Sequence, residues 1–64
     1  MENKKVPISD PYILLSWINM KLRDEFDSFS TLCEDYQLIE EEILNMLKLI
    51  GYKYNEKTNQ FFLE

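Results

Sequence analysis

The chain has no histidine, one cysteine, one glycine and only two prolines among its 64 residues. Each scarcity closes a route. Without histidine, the usual proton-transfer group near neutral pH is missing. Cys33 has neither a second cysteine for an internal disulfide nor a histidine to share a metal site. A lone glycine, Gly51, cannot build a glycine-rich phosphate loop. Basic residues are also few: seven lysines and arginines face twelve acids, a net charge of −5. Nucleic-acid binding draws its affinity from basic patches that displace counterions, so this balance opposes it. No segment approaches the roughly 20 apolar residues of a membrane span, and no apolar run follows the opening lysines. A reducing cytoplasm and no signal peptide are expected. No catalytic residue, cofactor, metal or small-molecule ligand is expected either.

What remains is 45% hydrophobic, with one tryptophan, four tyrosines and four phenylalanines. A chain of this length buries roughly 60% of its unfolded surface, so it makes one domain whose core must pack well. Residues 1–9 read as an extended lead, with Val6 and Ile8 able to tuck against the body. Residues 10–64 read as the domain.

The stretch from Ser28 to Ile50 organises the rest. Phe29, Leu32, Cys33 and Tyr36 fall at i, i+3, i+4 and i+7, the stripe of a helix with one buried face, and Ser28 is its natural cap. From Glu40 to Ile50 a second stripe runs through Ile43, Met46, Leu47 and Ile50, and Gly51 supplies a left-handed residue to end it. Only Gln37, Leu38 and Ile39 separate the two. A link so short forces a helix-turn-helix.

Upstream, Asp10-Pro11 is a helix start: aspartate caps, and proline at the first helical position loses no needed donor. This first helix is expected to reach about Glu25, with Leu14, Leu15, Ile18, Leu22 and Phe26 facing the core. Ile13, Trp17 and Met20 project from another side. Either the N-terminal segment or the C-terminal strands fold over them, or they form a contact surface whose simplest partner is a second copy of the chain. Lys21 with Glu25 and Arg23 with Asp27 are helical i, i+4 pairs. Alternatively Arg23 reaches Glu34 or Asp35 and fixes the interhelix angle through a forked ion pair.

After Gly51 the period changes to two. Tyr52 to Tyr54 and Gln60 to Leu63, separated by a polar turn, make a β-hairpin. Tyr52, Tyr54, Phe61 and Leu63 can share one face and lie on the helices. The turn has no glycine, which points to a looser loop centred on Asn55 or Asn59.

Asp10-Pro11, Leu14-Leu15-Ser16, Asn19, Lys21-Leu22-Arg23-Asp24, Leu32-Cys33-Glu34-Asp35, Gly51-Tyr52, Tyr54 and Asn59-Gln60-Phe61 together resemble a family of short bacterial proteins, domain of unknown function 4250. The resemblance spans nearly the whole chain and implies no activity. The chain departs from the family pattern at Ile39, where an acidic cap is usual.

The expected fold is therefore α+β: three helices and a C-terminal hairpin, like a winged helix-turn-helix. In that analogy Glu40 to Ile50 is the recognition helix. Its first turn, Glu40-Glu41-Glu42, would repel phosphates and instead complements the helix dipole. Lys48, Lys53 and Lys57 form a small basic edge. Cys33, on an apolar face with no base beside it, reads as a small buried hydrophobe. The expected function is that of a protein-interaction module or adaptor, partnered by another protein or by itself as a homodimer, through Ile13, Trp17 and Met20. A nucleic-acid-binding regulator is the alternative.

Overall fold

A computed structural model describes residues 6–64. The expected lead therefore lies outside the described residues over residues 1–5. Val6 packs against the core, whereas Ile8 stays exposed. The described chain folds as α1 (Pro11–Asp24), α2 (Phe29–Tyr36), α3 (Glu40–Lys48), β1 (Tyr52–Asn55) and β2 (Gln60–Leu63). The α+β class is as expected. The winged helix-turn-helix describes it only loosely, since the sheet is a single antiparallel pair.

Local chemistry sets the boundaries. At α1 the Asp10 carboxylate accepts from the Tyr12 and Ile13 N–H groups, with Pro11 in the first turn. At α2 the Ser28 hydroxyl accepts from the Thr31 N–H at 3.2 Å. This helix ends on Gln37, which adopts the left-handed conformation at φ 59°. There the Leu38 N–H donates to the Cys33 carbonyl and the Gln37 N–H to that of Glu34, the double closure of a Schellman motif. No side chain caps α3, whose cap position is Ile39. Glu40, Glu41 and Glu42 stand in its first turn, where the positive end of the dipole favours them. It stops two residues short of the expected Ile50. Gly51 follows at φ +86°, and a Cβ there would stand 3.2 Å from the Leu63 side chain. Glycine is needed on both counts.

The core comprises Leu14, Ile18 and Leu22 of α1, Phe29, Leu32 and Cys33 of α2, Ile43 and Leu47 of α3, and Phe61 of β2. Every helix stripe points where its spacing says. The hairpin register, Tyr52 opposite Leu63 and Tyr54 opposite Phe61, puts those four side chains on one face. Phe29, Tyr54 and Phe61 meet as an aromatic triangle with centroids 5.2–5.5 Å apart. Such ring pairs add about 0.5–1.5 kcal/mol each beyond their buried area.

Polar side chains seat the hairpin on α1. The Asn19 amide lies against Phe61: its Nδ2 donates to the Phe61 carbonyl at 3.1 Å and its Oδ1 accepts from the Phe61 N–H at 2.8 Å. It thus occupies β2's outer edge as a neighbouring strand would. Gln60 Nε2 donates to the Asn19 carbonyl at 3.0 Å. At the hairpin turn Asn59 sits at φ 56°. Its Nδ2 donates to the Leu22 and Phe26 carbonyls at 3.0 and 2.9 Å, satisfying acceptors around the end of α1. The Tyr54 hydroxyl donates to Asn59 Oδ1 at 2.6 Å and accepts from the Phe29 N–H at 3.3 Å. One chain of hydrogen bonds therefore joins α1, the hairpin and the start of α2.

Replacing Asn59 with alanine removes three side-chain hydrogen bonds and leaves a Cβ in a left-handed backbone. The expected loss is about 2–4 kcal/mol by urea denaturation, since each stranded partner costs about 1–3 kcal/mol when fully buried. Asn59→Gly should be milder by about 1 kcal/mol, because glycine accepts the backbone without strain.

Candidate interaction surfaces

Two surfaces stand out, one on α1 and one beside the hairpin. On α1 the ten residues from Pro11 to Met20 include no charged side chain. The buried arc is Leu14 and Ile18, and the opposite arc is open: Tyr12 is 63% exposed, Ile13 56% and Met20 39%.

The expected trio Ile13, Trp17 and Met20 divides. Ile13 and Met20 face outward, whereas Trp17 is half-buried against the core. Among the described residues its ring lies against α2. The Tyr36 ring of α2 meets it edge-on at 5.0 Å. Lys21 Nζ hangs 5.8 Å from the Trp17 centroid and 6.0 Å from that of Tyr36. Its bond to Glu25 at 2.9 Å keeps the ammonium in place, and that partner, then Tyr36, raises the lysine pKa against the lowering effect of burial. Trp17 thus forms the shoulder of the surface rather than its centre.

Arg23 does not reach Asp35 or Glu34. Its Nε and Nη2 donate to the two carboxylate oxygens of Asp24 at 3.0 and 3.2 Å. This pair, with each partner half or more exposed, replaces both the expected interhelix pair and the i, i+4 pair with Asp27. The adjacent carboxylate costs no chain ordering to reach, which is why it wins. The interhelix geometry is held instead by packing and by Asn59. Asp35 and Tyr36 carry interactions of their own.

The second surface is a half-open groove of about 890 Å³ between the start of α2, α3 and β1. Phe29, Tyr52 and Tyr54 lie along it, Leu44 forms the α3 wall, and Asp27, Glu40 and Glu56 stand at its rim. Lys48 and Lys53 also line it, and Lys53 is engaged by Glu64 at 3.3 Å. Two lysines of the expected basic edge are thus set among acids. The groove was not foreseen from the chain, because its walls come from three separate segments. The signal available was that a two-stranded hairpin always has two edges.

Cys33 is 2% exposed on the core face of α2, as expected. Burial, then the charge of Glu40, pushes its thiol from an ordinary 9.0 up to about 11. Among the described residues, no cluster of three or more His, Cys, Asp or Glu is arranged to hold a metal, and no helix is long and apolar enough to cross a membrane.

Three helices with a hairpin seated on them by polar side chains, and with exposed apolar and grooved faces, define a small α+β domain. The chain belongs to the family Domain of unknown function (DUF4250), whose model matches residues 8–61. No curated protein and no solved structure matches it. The matched stretch contains Asn19, Tyr54, Asn59, Gln60 and Phe61, the residues that seat the hairpin.

The raised thiol pKa has a testable sign. A group held protonated by the fold stabilises it fully below the ordinary pKa, and that contribution is lost as pH rises from about 9 to about 11. Cys33→Ala removes the titration. Urea midpoints taken at pH 8 and pH 11 should therefore converge more in this variant than in the parent, whose thiol should also resist alkylation at pH 8 until denatured.

Proposed function

We propose that the chain is a protein-interaction module that pairs with a second copy of itself through the outer face of α1, the dimer then acting as an adaptor. The observation that supports this reading is the uncharged decade of helix from Pro11 to Met20 with Tyr12, Ile13 and Met20 in solvent. An exposed helix face ordinarily carries charges that keep it wet. The charges that follow it on α1 are already neutralised in pairs, Lys21 with Glu25 and Arg23 with Asp24. Two identical uncharged faces can meet despite a net charge of −5 on each chain, and a two-fold axis is the simplest way to join them. At 14 residues, α1 offers a contact about 21 Å long.

Light scattering across a dilution series should show a dimer that dissociates on dilution. Ile13→Lys combined with Met20→Lys should hold the chain monomeric throughout, while helicity and the urea midpoint stay close to the parent, because both side chains are outward. Trp17→Lys should instead lower stability as well, since it strips the Tyr36 contact. A parent that is monomeric at all concentrations overturns the self-pairing.

A further inference from the structure

The backbone of β1 is half unpaired. Phe61 turns its N–H and C=O toward Asn19, away from β1. In an antiparallel ladder, Phe61 and its partner Tyr54 are then a pair that exchanges no hydrogen bonds with each other. The N–H and C=O of Tyr54 consequently point to the far side of β1, and those of Tyr52, two residues away, point the same way. The bond from the Glu64 N–H to the Gly51 carbonyl confirms the phase: Gly51, Lys53 and Asn55 face β2, whereas Tyr52 and Tyr54 face out. No described residue bonds to these outward groups. The two edges of the hairpin are thus unequal. Asn19 closes β2, and β1 is open along the 890 Å³ groove.

We propose that the open edge of β1 and the groove beside it receive a basic, extended polypeptide segment, which adds as a third strand. Four backbone groups at a strand's spacing select an extended backbone. The groove floor selects its alternate side chains: one side of the incoming strand faces Phe29, Tyr54 and Leu44, which suits an aliphatic or aromatic residue. The rim selects charge. Asp27, Glu40 and Glu56 form no ion pair among the described residues, and Lys53 is already neutralised by Glu64, leaving Lys48 as the free cation against three free acids. Lysine or arginine flanking the apolar residue complements that excess. The same excess opposes a second copy of this chain here, because its own β1 would bring Glu56 against those acids while its Lys53 is already held by Glu64. This surface is separate from the α1 face and does not rest on the proposed dimer. If both hold, a dimer displays two grooves.

The test uses the Ile13→Lys, Met20→Lys chain beside the parent, so that failure of self-pairing and failure of the groove read separately. The probe is a pool of acetylated hexapeptides in which lysine alternates with Val, Ile, Leu, Tyr or Phe. Titration followed by amide nuclear magnetic resonance should move the Tyr52 and Tyr54 N–H signals saturably in both chains and slow their exchange with solvent. Glu40→Lys with Glu56→Lys should weaken this at least tenfold. Both positions are exposed and make no hydrogen bond or ion pair among the described residues; Glu40→Lys gives up part of the charge complement at the start of α3, so Glu56→Lys alone, away from any helix end, should weaken binding with stability unchanged. Backbone N-methylation of the peptides should abolish it. No movement of the two amides, equal binding by peptides with glutamate in place of lysine, or binding indifferent to N-methylation overturns the proposal. Protection of the same amides that grows with protein concentration alone, without peptide, also overturns it, in favour of pairing between two β1 edges.

Discussion

The fold depends on side-chain amides taking the place of backbone. A two-stranded hairpin is marginal in water and must be fixed to something. Here Asn59 bonds to the carbonyls of Leu22 in α1 and Phe26 just beyond it, and Asn19 pairs with both backbone groups of Phe61. The aromatic triangle supplies contact area, but area alone permits sliding. The amides add direction, because an unpaired partner at a shifted register would be left dry and unsatisfied. Among the described residues no buried side-chain nitrogen or oxygen lacks a partner.

That constraint shapes the surfaces as well. Asn19 occupies the edge of β2, so the hairpin can present only β1 to a newcomer. Because the Tyr54 hydroxyl donates to Asn59 Oδ1 and accepts from the Phe29 N–H, its ring stands fixed at the groove beside α2. The side of α1 that carries Leu15, Asn19 and Leu22 is taken up by core and hairpin, and Tyr36 takes the Trp17 flank. Tyr12, Ile13 and Met20 are what is left.

Elements and caps were readable in the chain because their causes lie within four residues. Asp10-Pro11, Ser28 and the stripes Leu14, Ile18, Leu22 and Phe29, Leu32, Cys33 act through local hydrogen bonds and helical spacing, and each stands where that spacing puts it. Spacing ended α2 at Tyr36 and began the connector at Gln37, but the left-handed conformation of Gln37 was not readable, because glycine is the usual signal and glutamine pays strain to adopt φ 59°. Arg23 was expected to meet Asp27, Glu34 or Asp35, and geometry pairs it with Asp24 instead.

Family membership shares that division. Asn19, Tyr54 and Asn59-Gln60-Phe61 were visible as a pattern, yet nothing in their order says that they touch, because Asn19 and Phe61 are 42 positions apart. Period, capping and charge balance are properties of neighbours along a chain, and these established the α+β order of elements and the acidic, histidine-free surface. Which strand edge stays open, which flank of Trp17 is covered and where the groove lies depend on segments brought together from different parts of the chain. Those were decided by packing, since a contact between distant residues exists only once the intervening helices have fixed their angles.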